Sequence, residues 1–222
     1  MKRAGLFGGT FNPVHLGHLR VALEVGQGFA MDRLYFIPAA IPPHKENGGI
    51  ADAGHRYEML SQAIAGEQRF FLSDVELRRP GRSYTIDTVR EIAETLEEET
   101  RLYLIVGLDA FLEIDTWKAY LQLFEQIPVI VMSRPPESPN SSEHAFEGMH
   151  RFVREKISAG YALDPEASCL THRQLHPIHF FAVTPLGISA SRIRGAVGRG
   201  ESVKYLVPDA VARYIDKEGL YR

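Results

Sequence analysis

The sequence predicts an α/β protein with a doubly wound parallel sheet and a peripheral insertion. Short apolar runs alternate with longer amphipathic stretches, which is the pattern of β-α-β units. The chain has 222 residues, of which 45% are hydrophobic and 24% are charged. This length and composition are typical of one globular α/β domain with a buried core, so we expect a single domain over 1–222.

Each element is predicted from the spacing of its apolar residues and from the residues at its ends. Apolar runs predict strands at 4–8, 33–37, 70–73, 102–106, 129–133 and 178–183. Amphipathic stretches predict helices at 15–29, 55–65, 86–98, 119–125, 189–198 and 209–217, with a short helix after Asp109. The segment 135–177 opens with the turn-rich run PPESPNSSE and carries one amphipathic piece at 152–157. We interpret it as an insertion at the periphery of the sheet.

Charge and cysteine content exclude several classes of function. The formal net charge of −3 argues against a nucleic-acid polymer as partner. Cys169 is the only cysteine, so no disulfide forms within the chain and a reducing cytoplasm is expected. No run of about 18 apolar residues and no apolar leader is present, so we expect no contact with a membrane.

The first strand leads into the sequence GGTFNPVHLGHL. Gly8 and Gly9 lack a Cβ, so a phosphate could approach the backbone there. His15 and His18 fall in the first turn of the next helix, where N–H groups and the helix dipole favour phosphate. Two imidazoles at this place could stabilise charge that develops during a transfer reaction.

Other interpretations of the histidines remain open at this point. No lysine follows the glycines as in a P-loop, and the G-x-G-x-x-G spacing is absent. His15 and His18 could be zinc ligands, but neither has an obvious third partner. His172, His176 and His179 also suggest a metal site, although Pro177 interrupts any helix that would align them. We expect no metal held by the protein at either place.

The segment ISASRIRGAVGRG near the other end of the chain predicts a second helix start. Ser189 or Ser191 could cap it, and Arg192 and Arg194 project from its first turns. Taken alone, this pattern is more typical of a surface helix with solvated arginines.

Several polar residues follow predicted strands. His44 and Lys45 come after the second strand and Arg56 begins the next helix, which indicates either a cationic rim for phosphates or an exposed polar loop. Gly107 and Asp109 come just after the fourth strand. Because ligands of open α/β sheets bind at the carboxyl ends of strands, all of these are candidate site residues.

The segment RRPGRSYTIDTVREI predicts another helix start, capped by Thr85 or by a capping box from Thr88 to Glu91. Free N–H groups at such a start favour an anion over a neutral carboxamide. Trp117 is the only tryptophan, and a lone tryptophan is more often a core residue than a stacking platform.

Together, the two end segments resemble the nucleotidyltransferase superfamily that moves AMP or CMP from a nucleoside triphosphate onto a phosphate. GGTFNPVHLGH is similar to its H-x-G-H signature, and Ile188, Ser189, Ser191 and Arg194 fall in order on its I-S-x-T-x-x-R signature, with serine in place of threonine. The resemblance implies a Rossmann-like nucleotidyltransferase fold.

The same resemblance implies roles for individual residues. His15 and His18 would contact the triphosphate and stabilise the transition state, while Ser191 and Arg194 would hold the β- and γ-phosphates. His15, His18 and Arg194 are thus the implied catalytic residues. The implied ATP-binding residues are Gly8, Gly9, Thr10, Phe11, His15, His18, Gly107, Asp109, Ile188, Ser189, Ser191 and Arg194.

Three further motifs, P-P-H-K, S-Y-T-x-D-T and the tryptophan, resemble the bacterial nicotinate-nucleotide adenylyltransferases in particular. This implies that the backbone of Thr85 meets the nicotinate carboxylate and that Trp117 lies flat against the pyridine. His44 and Lys45 complete the implied mononucleotide-binding set. The implied substrates are ATP and nicotinic acid mononucleotide, with Mg²⁺ bridging the ATP phosphates.

The sequence leaves alternatives to this function. The acceptor could be nicotinamide mononucleotide, phosphopantetheine or a phosphorylated alcohol, and a regulator that binds nucleotide without catalysis is a further hypothesis. Three departures from the family pattern stand out: Asn12 where aspartate is common, Lys118 where an aromatic residue is common, and the long insertion. A homo-oligomer is compatible with everything above.

Overall fold

The computed structural model describes residues 1–41, 49–96, 99–133, 141–164, 168–184 and 186–222, with the backbone alone at 141–144. The strands in these ranges are β1 (Lys2–Gly9), β2 (Arg33–Pro38), β3 (Phe70–Leu72), β4 (Thr100–Gly107), β5 (Val129–Ser133), β6 (Ala162–Asp164), β7 (Cys169–Thr171) and β8 (Ile178–Ala182). The helices are α1 (Leu16–Gly28), α2 (Ala53–Ile64), α3 (Val75–Arg78), α4 (Thr85–Thr95), α5 (Leu108–Phe111), α6 (Tyr120–Gln126), α7 (Ser141–Lys156), α8 (Ala190–Gly198) and α9 (Asp209–Lys217), and a 3₁₀ turn lies at Ile114–Thr116. In the part of the chain so described, no helix has both the length and the apolar character to span a bilayer.

These strands form one sheet in the order β3-β2-β1-β4-β5-β8-β7-β6. Neighbours from β3 to β8 pair in parallel, whereas β7 and β6 are antiparallel to their neighbours. The six parallel strands are the six that the apolar runs predict. The predicted fold class, a doubly wound parallel α/β sheet, is confirmed.

The strand order reverses at β1. This strand pairs with β2 on one side and with β4 on the other. The next strands in the chain, β2 and β3, therefore lie on one side of β1, and all later strands lie on the other side. In open α/β sheets a crevice lies outside the carboxyl ends of the strands at such a reversal. Here those ends are Gly9 of β1 and Gly107 of β4.

Helices cover both faces of the sheet, as the residues of β4 illustrate. Leu102 and Leu104 pack into one buried cluster, with α3 to α7, while Tyr103 and Ile105 pack into a second cluster, with α1, α2, α8 and α9. Successive side chains of a strand point to opposite faces, so β4 contributes to both layers and reads as a continuous apolar run.

The segment 135–177 contains more regular structure than its sequence indicates. The predicted amphipathic piece at 152–157 is the end of the longer helix α7, whose residues Met149 and Val153 are fully buried in the first cluster. β6 and β7 extend the sheet beyond β8. Each of these strands has three residues, too few for an alternating pattern to appear in the sequence.

Candidate active site

The two histidines of the H-x-G-H segment lie against each other at the start of α1. His15 is the N-cap residue and is 4% exposed. Its ring stacks on that of His18, with centroids 3.7 Å apart and planes inclined by 22°. The backbone N–H of His15 donates to Nδ1 of His18 at 3.3 Å. Because that nitrogen accepts, the proton of a neutral His18 ring belongs on Nε2, which makes Nε2 the donor nitrogen.

Small and aromatic neighbours hold this pair in place. A Cβ on Gly17 would lie 3.0 Å from Nδ1 of His15, so the glycine of the motif is needed for the ring to keep its position. Phe11 is 3% exposed and meets His18 edge to face, with centroids 5.1 Å apart. A Cβ on Gly9 would in turn lie 3.0 Å from the ring of Phe11. The side chain of Phe11, a predicted ATP-binding residue, thus packs against His18.

A cleft of about 360 Å³ opens beside the histidines, and we call it the histidine cleft. Five of the predicted ATP-binding residues contribute to its lining: His15, His18, Gly107, Asp109 and Ile188. They come from the start of α1, from the end of β4 and the start of α5, and from the segment before α8. The fold therefore assembles this part of the predicted site from three distant stretches of chain.

Thr184 also lines the histidine cleft, and the sequence does not single it out. Its backbone N–H donates to Oε2 of Glu24 at 2.7 Å, and Arg20 donates to Oε1 of the same carboxylate at 2.6 Å. Burial raises the pKa of Glu24, but the hydrogen bonds from Thr184 and the charge of Arg20 outweigh this and hold the pKa below its ordinary value. Glu24 of α1 thus anchors the segment that follows β8.

A second cleft of about 600 Å³ lies at the same edge of the sheet, and we call it the tryptophan cleft. The predicted site residues along it are Gly8, Gly9, Thr10, Thr85, Gly107 and Trp117. It shares Phe7 and Gly107 with the histidine cleft, so the two clefts adjoin at the ends of β1 and β4. This junction coincides with the reversal of strand order.

The second predicted phosphate segment lies next to the histidine cleft. Ser189 caps α8 by accepting from the backbone N–H of Arg192 at 3.3 Å, as predicted, and its hydroxyl lies 3.2 Å from that of Ser191. Both serines line a hollow of about 440 Å³ that shares Ile188 with the histidine cleft. The two end motifs of the chain are thus brought to one place.

Arg194 connects the same two motifs directly. It is half-buried, and its Nη1 donates to the backbone oxygen of Asn12 at 2.8 Å. Asn12 belongs to the loop between β1 and α1, three positions before His15. The guanidinium has five N–H donors, and this hydrogen bond uses one of them.

Both interpretations of Arg56, as part of a cationic rim and as part of an exposed polar loop, are wrong. Arg56 is 1% exposed, and its three nitrogens donate to backbone oxygens of Ala51 at 2.9 Å, Thr10 at 2.9 Å and Ala40 at 3.1 Å. Carbonyl oxygens of loops would otherwise stay unsatisfied in the core. Arg56 is a structural arginine that ties the ends of β1 and β2 together, a role that its position in the sequence does not reveal.

The capping predicted for α4 also differs from the structure. Thr85 is the first helical residue rather than the cap, which is Tyr84 and makes no side-chain cap hydrogen bond. Thr88 is buried and its hydroxyl donates to Oε1 of Glu76 at 2.7 Å instead of forming a capping box. Glu76 is 8% exposed and lines the tryptophan cleft. Burial raises the pKa of Glu76, although hydrogen bonds from Thr88 and Ser83 act in the opposite direction.

Trp117 is half-buried and packs against the first core cluster while its surface lines the tryptophan cleft. Its neighbour Lys118, one of the departures from the family pattern, lines the same cleft. The ammonium of Lys118 lies 2.8 Å from Oδ2 of Asp87 and 4.8 Å from the ring centre of Tyr84. Lys118 therefore joins the segment after Trp117 to the start of α4.

Two predicted site residues fall outside the described part of the chain, and the described part holds no cluster of metal ligands. His44 and Lys45 lie outside the described residues. Among the residues that are described, no group of three or more His, Cys, Asp and Glu side chains is arranged to hold a metal ion. His172 takes part in hydrogen bonding instead, since Nδ1 accepts from the backbone of Gln174 and Leu175, each at 3.1 Å.

Comparison with known proteins identifies the family of this chain. A cytidylyltransferase-like family model matches residues 6–196. A probable nicotinate-nucleotide adenylyltransferase of Desulfatibacillum aliphaticivorans is 41% identical over 222 residues, which span 99% of each chain, and one of Pseudomonas aeruginosa is 39% identical over 221 residues, which span 100% of this chain and 98% of the relative.

The fold is shared with a solved structure as well. Plasmodium falciparum nicotinic acid mononucleotide adenylyltransferase complexed with NaAD superposes with a TM-score of 0.73 at 17% identity, over 100% of this chain and 98% of that one. Because the identity is only 17%, this likeness shows a shared fold and nothing more. Family membership is shown by the family model and by the full-length relatives. The chain belongs to the cytidylyltransferase-like family and, within it, to the nicotinate-nucleotide adenylyltransferases.

Proposed function

We propose that the protein transfers AMP from ATP to nicotinic acid mononucleotide, which yields nicotinic acid adenine dinucleotide and pyrophosphate. The main support for this proposal is that the two clefts adjoin at Phe7 and Gly107, with the paired histidines in one of them. A transfer between two nucleotides requires two binding sites whose reacting ends meet. The relatives named as nicotinate-nucleotide adenylyltransferases support the choice of substrates.

In this proposal the histidine cleft holds ATP. His15 and His18 lie where they could donate to the phosphates, and Asp109 and Ile188 line the remainder of the cleft. Ser191 and the available donors of Arg194 would bind the β- and γ-phosphates. A Cβ on Gly8 would meet nothing within 4 Å, so the lack of a side chain there would let phosphates approach the backbone at the junction. Gly9 and Thr10 would line the same place.

The tryptophan cleft would hold the mononucleotide. Its half-buried indole offers a flat apolar surface for the pyridine ring. Thr85 is the first residue of α4, so its backbone N–H is one of the helix-start donors that favour a carboxylate. His44 and Lys45 are proposed as phosphate contacts from the sequence motif alone.

The proposed reaction is a direct displacement. An oxygen of the mononucleotide phosphate forms a bond to the α-phosphorus of ATP, and the bond from that phosphorus to the oxygen bridging to the β-phosphate breaks. The electron pair of the broken bond leaves with pyrophosphate. The attacking phosphate is already ionised at neutral pH, so no general base is needed, and the protein contributes positioning and charge stabilisation.

Family membership suggests a divalent cation on the triphosphate, and we propose Mg²⁺. Magnesium prefers oxygen ligands and keeps several waters. Asp109 supplies a carboxylate in the histidine cleft, and the described residues hold no larger cluster of metal ligands. The residues present therefore fit an ion bound mainly by phosphate oxygens, with Asp109 as the nearby carboxylate, and the ion would neutralise phosphate charge.

The direct test is pyrophosphate release with ATP and each acceptor in parallel. We expect release with nicotinic acid mononucleotide, slower release with nicotinamide mononucleotide, and none with phosphopantetheine or with ATP alone. A faster reaction with the amide would contradict the assigned role of the α4 start. Binding of ATP without release with any acceptor would favour a regulator.

A further inference from the structure

Asn12 is a buried polar residue in the loop before the paired histidines, and the proposed function does not use it directly. It is 4% exposed. Its Oδ1 accepts from the hydroxyl of Tyr221 at 2.8 Å and from the backbone N–H of Ala51 at 3.0 Å, and its Nδ2 donates to the backbone oxygen of Gly49 at 2.9 Å. Both lone pairs of the amide oxygen are thus used, which fixes the orientation of the side chain.

The backbone of Asn12 is hydrogen-bonded to a candidate site residue. Its carbonyl oxygen accepts from Nη1 of Arg194 at 2.8 Å, and the chain continues within three residues to His15. A displacement of Asn12 would therefore move the guanidinium and the entry to α1 together. The hydrogen bonds to the Asn12 side chain are what oppose such a displacement.

Tyr221 reaches Asn12 from the segment that follows α9. Its φ of +66° lies in the left-handed region, and its ring packs on the second core cluster. Burial strongly raises the pKa of Tyr221, and the positive charges of Arg194 and Arg56 lower it by less. The hydroxyl is therefore protonated at physiological pH and donates to Oδ1 of Asn12 throughout that range.

We propose that Tyr221 is a positioning residue of the transfer reaction and acts through Asn12 on the guanidinium of Arg194. The inference rests on the proposed function, which assigns Arg194 to the departing pyrophosphate. Tyr221 touches no substrate in this account. It holds one charged donor where negative charge develops, and preorganised donors of this kind lose their effect when they are free to move.

The test compares two tyrosine-to-phenylalanine variants. Tyr221→Phe removes the hydroxyl and keeps the ring. Tyr161→Phe is the control, because the hydroxyl of Tyr161 also donates to an oxygen within the protein, the backbone oxygen of His176, at 2.7 Å. Tyr161 is 3% exposed, whereas Tyr221 is half-buried. Tyr161 precedes β6, which is an edge strand of the sheet. Three strands, β5, β8 and β7, separate β6 from β4. Thermal unfolding of both variants measures the structural cost of each lost hydroxyl.

We expect the kinetic effects to differ even where the unfolding midpoints fall equally. Tyr221→Phe should lower kcat about tenfold and weaken binding of inorganic pyrophosphate, measured by calorimetry, about fivefold. The KM for nicotinic acid mononucleotide should change by less than about twofold, since the tryptophan cleft is not disturbed. Tyr161→Phe should keep the wild-type kcat and pyrophosphate affinity.

A double-mutant cycle tests the route through Asn12. In an Asn12→Ala background the hydroxyl of Tyr221 has lost its acceptor, so adding Tyr221→Phe should change kcat no further. Full additivity of the two substitutions would overturn the inference. So would a Tyr221→Phe enzyme whose kcat and pyrophosphate affinity match those of Tyr161→Phe.

Failure of the inference is distinguishable from failure of the proposed function. If the wild-type protein releases no pyrophosphate with any mononucleotide, the proposed function is wrong, and the pyrophosphate titrations still compare the variants. Should Tyr221→Phe not fold, the titration is made on Asn12→Ala, and a wild-type affinity there overturns the inference.

Discussion

Arg194 and Asn12 stand 182 positions apart in the chain, and the guanidinium of the first donates to the backbone oxygen of the second at 2.8 Å. This hydrogen bond joins the arginine of the I-S-x-T-x-x-R segment to the loop that precedes the H-x-G-H histidines. An ATP molecule held by both segments needs them side by side. The doubly wound sheet achieves this because the segment after β8 returns to the same edge as the end of β1.

Removal of the His18 imidazole should mainly affect turnover. We expect His18→Ala to lower kcat about a hundredfold or more, which is the scale for one preorganised donor in a transfer reaction. The affinity for ATP should change less, because many other groups line the histidine cleft. Steady-state pyrophosphate release and ATP titration measure the two quantities.

The control for His18 is His55→Ala. His55 interacts with Tyr214 at 2.9 Å between α2 and α9, so its loss should lower the unfolding midpoint while kcat is retained. A kcat of His18→Ala within a few-fold of the wild type would show that the assigned role is wrong.

The glycine between the histidines offers a test of their geometry. In Gly17→Ala, the new methyl group would lie 3.0 Å from Nδ1 and 3.1 Å from Cε1 of His15, so the ring has to shift by a few tenths of an ångström. We expect kcat to fall about tenfold, since small displacements of preorganised groups are costly.

Gly26→Ala is the matched control in the same helix, because a Cβ there meets nothing within 4 Å. Alanine is favoured over glycine inside a helix by about 0.5–1 kcal/mol, so Gly26→Ala should raise the unfolding midpoint and keep kcat. Equal kcat values for the two variants would mean that the position of His15 is not critical.

Glu76 should make the stability of the protein depend on pH. Burial raises its folded pKa above the ordinary value of 4.5, so the folded state binds this proton more tightly than the unfolded state does. The stabilisation from the protonated form is complete below pH 4.5 and is lost as the pH rises through the folded pKa. Denaturant unfolding of the wild type and Glu76→Gln between pH 4 and 8 measures this difference.

The glutamine variant does not titrate, so its stability relative to the wild type should increase as the pH rises through that window. Glu67→Gln is the control, because Glu67 has its pKa lowered by hydrogen bonds from Arg69 on the surface. Parallel stability curves for the wild type and Glu76→Gln would contradict the prediction.

Arg56 should matter for stability rather than for substrate affinity. Arg56→Met leaves three carbonyl oxygens of partly buried residues without their donor, and each such loss costs about 1–3 kcal/mol where water cannot replace the donor. We therefore expect the free energy of unfolding to fall by about 3 kcal/mol or more. Arg69→Met is the control, since the ion pair of Arg69 with Glu67 lies on the surface, where such pairs add little to stability. A raised KM without a loss of stability would restore Arg56 to a phosphate-binding role.

The sequence alone is enough to predict the parallel sheet and to place several candidate site residues at the ends of its elements. Six apolar runs mark the six parallel strands, because a strand buried on both faces is apolar along its whole length. His15, His18 and Ser189 could be placed at helix starts because capping and helical periodicity are local properties. The sites where ligands bind follow from strand order, which the alternation of strands and helices already indicates.

Tertiary structure decided what depends on partners distant in the chain. Whether Arg56 faces solvent or the core, and whether Thr88 caps a helix or bonds to Glu76, is set by groups brought close only by folding. The same holds for the hydrogen bonds of Asn12 with Tyr221 and Arg194. The sequence around a polar side chain does not show which groups will surround it in the folded protein. The free energy of burying that side chain depends on whether those groups include a hydrogen-bonding partner.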